Sequence, residues 1–519
     1  MCHAVLVLAT LAVAGSSVDE FDVGFRRRQN ATIFPGLRTT HTISSYGDSE
    51  LRTTTILLGG TLSLGADSTW HSKSWHMHNA LLLFIDWANF VKGGVRVSAT
   101  DRRMVEILSA DDVSEPANVR SLYRALVAGR IGGRAPDFLL GPYSSALTEV
   151  AADVADRNGA LLIATAASTT SIFENRTLTF GMSNPADTFL HASVTMLHHL
   201  GVKSVSFIFE DAPATKDWCK GAATKAQALN LTVAARIQSS QTLNVTQISS
   251  ALETLTTASA DAVIGCTQNL DVCVNFVQQA AANSKLKFYA KALLLTACVT
   301  DPRFSEQLSS LAWHVMGTSP WSELDSIPDD MAGWSPADFA RRYESAFGQI
   351  PPYQSAAAFA GASLLVNAIE RVGSLDPKLV AGELKQTRIR TVYGDTLFDR
   401  NRQILLSFVT LQHSPPGNLS VVTAATALFP MPSWAERECE FVKKCEAGEC
   451  RADGTCKITK CEVGNIALVN SAGQYDCRPC KAGSFSPGGT ASACTICSPG
   501  TRTTLEHGMA PPSLHGCCH

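Results

Sequence analysis

Beyond residues 1–14, this chain contains no apolar run of the eighteen or more residues that a membrane-spanning helix needs. It contains no HExxH, no Gly-x-Ser-x-Gly and no Walker-type loop, so the common metalloprotease, serine-hydrolase and phosphate-cradling sites are not encoded. The glycines of 129–133 lack the preceding strand and following helix that a dinucleotide loop requires. Charge of one sign is also scarce. With 43 Lys and Arg against 46 Asp and Glu, the net charge is −3, and nothing favours nucleic acid or an anionic membrane as a partner. His76, His78, His198 and His199 have no carboxylate at helical metal-ligand spacing. They are read as structural or surface residues, with His198 and His199 at a helix C-terminus where positive charge is favourable. No metal site, cofactor or catalytic residue is expected, and the chain is not read as an enzyme.

What is present is globular: 519 residues, 45% hydrophobic and 17% charged, enough for two to four domains. Ala4–Ala14 is an apolar run of export-signal length, and Ala12 and Ala14 give a small-x-small cleavage pattern, so residues 1–14 are expected to be a signal peptide. A buried N-terminal strand is the alternative, since only His3 is available as n-region charge. Residues 15–52 lack hydrophobic periodicity and read as a poorly ordered leader arm. Of 16 cysteines, four are Cys219, Cys266, Cys273 and Cys298, eleven lie between Cys439 and Cys518, and Cys2 would leave with the signal. That density points to an oxidising compartment: a secreted protein, or the outer face of a membrane. Sequons at Asn30, Asn175, Asn230, Asn244 and Asn418 fit a glycoprotein.

From Thr54 short apolar strands alternate with helices. Thr54–Gly60, Val95–Thr100, Met104–Leu108, Asp137–Gly141 and Ala160–Ala164 read as strands; His78–Phe90, Asn118–Leu126 and Ser145–Asn158 read as helices. The alternation then restarts with strands Val205–Phe209, Leu231–Ile237, Ala262–Gly265 and Phe288–Leu295, between helices Lys216–Leu229, Gln247–Thr256 and Cys273–Ala282. Helices Pro336–Phe347 and Ser355–Val372 and extended runs Thr396–Asp399 and Leu405–Leu411 follow. The fold class is α/β: two doubly wound parallel-sheet lobes joined by hinge strands, with a crevice at the carboxyl ends of the strands where small ligands bind. Residues 53–430 are assigned to this bilobal domain, lobe 1 being about 53–182 plus 321–392 and lobe 2 about 183–320 plus 393–430.

Six segments, in order and spacing, carry a family likeness: Leu58–Gly65 (LGGTLSLG), Trp87–Gly94 (WANFVKGG), Gly141–Ser145 (GPYSS), Ala160–Phe173 (ALLIATAASTTSIF), Ser204–Glu210 (SVSFIFE) and Tyr393–Asp399 (YGDTLFD). Together they resemble the type I periplasmic-binding-protein fold, in the branch of the leucine/isoleucine/valine-binding protein and the ligand-binding regions of metabotropic-type and cyclase-type receptors. The likeness runs from about Thr54 to Val422.

The resemblance implies that Ser144 and Ser145, and in the next loop Ala166, Ser168 and Thr169, offer hydroxyl and backbone groups to a ligand carboxylate. Their setting supports this independently, because both loops follow strand C-termini and the first opens a helix, where an anion is favoured. Ser144 reads equally as a helix N-cap. Trp70, in the segment Ser68–Trp70, is a candidate on the first lobe; Trp218 and Gln268 are candidates later, with Asp211, Asp217 and Asn269 beside them. The second-lobe position that holds an acid in amino-acid binders of this type corresponds to Thr296–Cys298, which has no carboxylate. That leaves amides, sugars, small acids and peptides open beside amino acids.

Beyond Pro430 aliphatic periodicity ends, and residues 439–519 read as a Cys-rich disulfide module. Cys477–Cys480 and Cys494–Cys497 form CxxC–x13–CxxC, a zinc-ribbon spacing when taken alone. The intervening KAGSFSPGG and following SPGT instead resemble ephrin-receptor-like and TNF-receptor-like repeats, so disulfides are preferred. The expected function is extracellular binding of a small polar ligand, amino-acid-like or another small metabolite, with clamp closure shifting a population of open and closed forms. The chain is read first as a receptor ectodomain, with a membrane involved only if it is cut from a longer receptor. A secreted carrier and an adhesion protein without small ligand are the alternatives, and a homodimer is left open.

Overall fold

The computed structural model describes residues 40–43, 54–239, 245–282, 290–415, 418–431 and short segments of the tail between 447 and 496. The expected signal and all of the leader arm except Thr40–Ile43 lie outside the described residues, as do Cys439, Cys445, Cys461, Cys480, Cys494, Cys497, Cys517 and Cys518. The chain partitions into two compact units. The first comprises Met1–Ala192, Asp211–Ala222 and Ser319–Val409; the second comprises Ser193–Glu210, Ala223–Thr318 and Thr410–His519.

The first unit is built on a sheet of β1 (Thr40–Ile43), β2 (Ile56–Leu62), β3 (Val105–Asp111), β4 (Phe138–Leu140), β5 (Leu162–Ala164) and β6 (Thr179–Gly181). Their spatial order is β1-β3-β2-β4-β5-β6. Strands β2 to β6 pair in parallel, and β1 runs antiparallel to β3. Every residue of β2, β4, β5 and β6 is buried. This is why these strands read as continuous apolar runs rather than alternating ones. Gly60 allows the closest strand approach: a Cβ there would sit 2.5 Å from the Leu140 carbonyl oxygen.

Around this sheet pack α1 (His71–Asp86), α2 (Pro116–Val127) and α3 (Ser145–Arg157), and from the later part of the chain α4 (Pro336–Phe347), α5 (Tyr353–Val372) and α6 (Pro377–Gln386). Helix α5 packs on α1, and its buried face spans nearly every residue from Tyr353 to Ile369. Phe359 anchors that contact, with ring centroids 6.1 Å from Phe84, 5.8 Å from Trp87 and 5.5 Å from Trp334. Truncating so buried a ring to alanine costs about 3–5 kcal/mol. A capping box at Ser335 and Asp338 starts α4, and Gly348 in a left-handed conformation ends it.

The second unit has a sheet of β7 (Ser204–Glu210), β8 (Thr232–Ser239), β9 (Ala262–Cys266), β10 (Ala292–Leu295), β11 (Met316–Ser319), β12 (Val409–Ser414) and β13 (Asn418–Val422) in the order β8-β7-β9-β10-β11-β12-β13. Pairings from β8 to β11 are parallel, and β12–β13 is an antiparallel hairpin. Its core gathers Ile248, Leu252, Val263, Phe276, Val277, Leu293 and Phe304. A disulfide joins Cys273, in the helix Leu270–Ala282, to Cys298.

Three extended readings are corrected. Val95–Thr100 forms a strand only at Val95–Arg96, because Val97 and Ser98 N–H both turn back to the Asp101 carbonyl. Thr396–Asp399 contributes one isolated bridge, Phe398 to Ile404. In Leu405–Leu411 the strand begins only at Val409. In the tail, Ala447–Cys450 pairs with Cys456–Lys460, Asn465–Val469 with Tyr475–Pro479, and Ser484–Phe485 with Thr495–Ile496, all antiparallel.

Candidate functional site

In the first unit the chain runs from β2 to β3 on one side, then crosses back to β4 on the other. The reversal opens a crevice at the carboxyl ends of β2 and β4, where open α/β sheets bind ligands. The loop after β2 carries Ser68 and Trp70, and the loop after β4 carries Tyr143, Ser144 and Ser145. The tilted rings of Trp70 and Tyr143 lie 5.2 Å apart and join the two loops. Behind them Asp112 is fully buried and accepts from Thr61 Oγ1 (2.7 Å), Ser63 Oγ (2.6 Å) and Ser114 N–H (2.9 Å). Burial raises its pKa, against those three donors. Ser114 Oγ in turn accepts from Trp70 N–H at 3.1 Å, so the buried acid indirectly fixes the Trp70 loop.

Ser144 caps α3: its Oγ accepts from Leu147 N–H at 3.3 Å. Its backbone is strained, with φ 79° and ψ 148°, a region that non-glycine residues rarely enter. Thr148 Oγ1 locks the turn, its single proton shared between the carbonyls of Ser144 (2.7 Å) and Pro142 (3.0 Å). Ser145 is the first helical residue, and its Oγ accepts from Ser168 N–H (3.2 Å) and Thr169 N–H (3.3 Å). The two loops expected to share a ligand are thus fused by one hydroxyl. With two N–H groups on its oxygen, the Ser145 hydroxyl has its proton left to give. The N–H groups of Ser145 and Ala146 lie in the first turn of a 13-residue helix, where no intrahelical acceptor exists and the helix potential is positive.

The loop after β5 is held from three directions. The Ser168 carbonyl accepts from Ala186 N–H and Gln403 Nε2, both at 2.9 Å. Ser168 Oγ accepts from Trp218 Nε1 at 3.2 Å. Trp218, in the helix Pro213–Ala228, stacks on Phe189 at 4.6 Å. Gly221 of that helix permits the approach, since a Cβ there would be 1.8 Å from the Asp187 carbonyl oxygen. Ser68 Oγ, Thr169 Oγ1 and Gln403 Oε1 are buried without a hydrogen-bond partner, which is costly unless something supplies one. Of the expected residues, Ser145, Ser168, Thr169 and Trp218 form one network; Trp70 faces Tyr143; Ser144 acts as the cap; and Ala166 packs against the apolar core.

Gln268 belongs to the second unit. Its N–H and that of Asn269 donate to Glu210 Oε1 at 3.1 and 3.2 Å. Glu210 ends β7 and is buried; burial pushes its carboxyl up to about 7, against the two N–H donors. Sequence reasoning did not single out this residue, because its partners lie 58 and 59 positions away. Thr267 Oγ1 lies 2.8 Å from Cys273 Sγ, and Thr296 Oγ1 donates to the Gly265 carbonyl at 2.7 Å. Asp211 pairs with Lys216, and Asp217 is raised chiefly by desolvation. Among the described residues, no group of three or more His, Cys, Asp or Glu is placed to hold a metal ion, and no helix is long and apolar enough to cross a membrane.

A family model described as periplasmic binding protein matches residues 72–411. Among solved structures, the leucine-binding protein LivK of Thermotoga maritima is 17% identical with a TM-score of 0.60, covering 71% of this chain and 98% of its own. LivJ of Streptococcus pneumoniae, a branched-chain amino acid transporter substrate-binding protein in complex with isoleucine, is 17% identical with a TM-score of 0.59, covering 71% and 99%. A solute-binding protein of an ABC transporter from R. palustris, in complex with 4-hydroxybenzoate, is 17% identical with a TM-score of 0.61, covering 73% and 98%. At these identities the likenesses establish the fold.

Proposed function

The chain belongs to the periplasmic binding protein family, and from that premise we propose that it binds a small carboxylate-bearing solute without transforming it. The observation that carries this reading is the Ser145 hydroxyl, which accepts from Ser168 and Thr169 N–H at the start of α3 and keeps its proton for a ligand. The carboxylate sits over the α3 N-terminus, held by Ser145, the first-turn N–H groups and Thr169. Ser144 and Ser168 shape the loops, Ala166 lines them, and Trp70 and Trp218 flank the body of the solute. Gln268, held by Glu210, is the candidate of the second unit. The similar proteins LivJ and the R. palustris protein hold isoleucine and 4-hydroxybenzoate, which share a carboxylate and little else.

The setting proposed is extracellular, which the Cys273–Cys298 bridge supports. Residues 439–519 are proposed as a disulfide module, on the cysteine spacing and the paired strands of the tail. On that module, a receptor ectodomain is preferred to a free carrier.

The test is titration calorimetry with leucine, isoleucine, benzoate and 4-hydroxybenzoate, on the native chain and on Ser145→Ala/Ser168→Ala. At least one acid should bind the native chain, and the double variant should lose that binding while keeping its circular dichroism spectrum. Unchanged affinity in the variant removes these residues from the site, and silence of the whole panel removes the carboxylate reading.

A further inference from the structure

We propose that Asn230 and Asn418 carry N-linked glycans and that these sugars guard the two open edges of the second unit's sheet, an inference that rests on the extracellular reading, because such transfer belongs to the secretory route.

Of the five sequons, Asn175, Asn230 and Asn418 belong to the described residues, and Asn30 and Asn244 lie outside them. The three share a position. Asn175 precedes β6, which starts at Thr179 on one border of the first sheet. Asn230 precedes β8, which starts at Thr232, and Asn418 is the first residue of β13. β8 and β13 are the two border strands of the second sheet. No interior strand of either sheet contains a sequon.

All three asparagines are exposed, as are Thr177 and Thr232, and Ser420 is half-buried. Asn230 follows the helix Pro213–Ala228. Its N–H donates to the Gln227 carbonyl and Leu231 N–H to the Ala226 carbonyl, both at 2.9 Å, and a φ of 59° turns the chain into β8. Asparagine suits that left-handed turn without any sugar. Thr232 two positions on, with Leu231 rather than proline between, is what makes the turn an acceptor. In the transfer, the asparagine Nδ2 bonds to the anomeric carbon of an N-acetylhexosamine on a lipid-diphosphate-linked oligosaccharide. The bond from that carbon to the diphosphate breaks, the lipid diphosphate leaves, and the amide gives one proton to the transferase.

A border strand offers unpaired N–H and C=O groups to any foreign strand, and proteins blunt it with charge, proline, a bulge or a cover. Among the described residues, no strand pairs with the outer side of β8 or β13. β8 is eight residues long, with Arg236 as its one charge and one register shift, between Val233 and Ala235. β13 reads Asn-Leu-Ser-Val-Val, with no charge, no proline and an unbroken register. A bulky, solubilising glycan at the head of each strand stands where a foreign strand would enter. β6 differs: Gly181 bridges Gln403, and the Phe180 ring meets Phe398, so later chain already covers that border. A substitution at Asn175 opens no edge and is the control.

The full chain, made in a eukaryotic secretory host, is treated with peptide-N-glycosidase, which converts a glycosylated asparagine to aspartate, and mapped by mass spectrometry. Positions 230 and 418 should be recovered as aspartate. In sedimentation velocity the native chain and Asn175→Gln should share one oligomeric state. Asn230→Gln, Asn418→Gln and the enzymatically deglycosylated native chain should each form species of at least twice the mass. Adding Gln238→Lys, at an exposed position of β8, to Asn230→Gln should restore the native state, a rescue that misfolding would not show. Either position recovered as asparagine from the secreted chain overturns this inference and leaves the extracellular reading standing. Glycans whose loss leaves sedimentation unchanged overturn the guarding role. Retention of the chain inside the cell with every sequon unmodified overturns the extracellular reading, and this inference falls with it.

Discussion

Trp218 and Ser168 lie 50 positions apart in the chain, yet the indole Nε1 donates to the serine Oγ at 3.2 Å. The same indole lies 4.6 Å from Phe189, and Phe189 lies 4.5 Å from Phe408. Three separate chain segments of the first unit therefore converge on one serine of the candidate ligand loop.

Trp218→Phe keeps a ring for Phe189 and removes the donor. A buried neutral hydrogen bond contributes about 0.5–1.5 kcal/mol. Urea denaturation should show a loss of that size, with affinity for the cognate acid falling as the Ser168 hydroxyl loses its orientation. A variant as stable as the native chain would mean that the bond contributes nothing.

Ser144→Gly should stabilise the protein. At φ 79° and ψ 148° the serine occupies a strained conformation that costs on the order of 1–3 kcal/mol, and glycine enters it freely. Loss of the Leu147 cap subtracts only a few tenths of a kcal/mol. A net gain of about 1 kcal/mol in thermal or urea unfolding is expected. If the variant is instead less stable, the cap outweighs the strain.

Glu210 makes stability depend on pH with a defined sign. Its folded carboxyl is pushed up to about 7 from the ordinary 4.5, so between those values the native state holds a proton that the unfolded chain has released. Its contribution is complete below about 4.5 and is lost as pH rises through 7. Glu210→Gln keeps an acceptor for the Gln268 and Asn269 N–H groups and cannot ionise. It should match the native protein near pH 4.5 and exceed it by about 1–3 kcal/mol at pH 8. A native curve that rises with pH relative to the variant would show that the carboxylate is stabilised by charge instead.

The Cys273–Cys298 bridge closes a loop with a sequence separation of 25. Replacing both residues by serine should cost about 3.5 kcal/mol on the chain-entropy model. It should also raise amide exchange in the segments beginning at Thr267 and Thr296, which the bridge ties together. Unchanged exchange there would confine the effect to the unfolded chain.

The two sheets were legible because buried parallel strands are continuous apolar runs, and Pro336–Phe347 because it begins and ends on recognisable signals; the helix read from His78 begins instead at His71, where no side chain caps it. Ile56–Leu62, Ser204–Glu210 and Ala262–Cys266 emerge within two residues of the positions read from sequence. Short segments closed by a turn were not legible, as at Val95–Arg96, because an alternating pattern does not reveal where Asp101 pulls the chain back. Within the candidate site, local chemistry marked Ser144 as a cap. The Ser145 link to Ser168 and Thr169 depends on strand order, which no local window contains. Glu210 was visible only as the last letter of an apolar strand. Its importance comes from the loop it meets after β9.

Gln403 donates to the Ser168 carbonyl, a partner 235 positions earlier, and its backbone forms a parallel bridge with Gly181. A ribosome that has already released every strand of the first sheet has therefore not yet made the residue that finishes that sheet's outermost loop. Recognition competence should appear late during synthesis, and a fragment ending before Gln403 should expose Ser168 to proteases that leave the full-length chain intact.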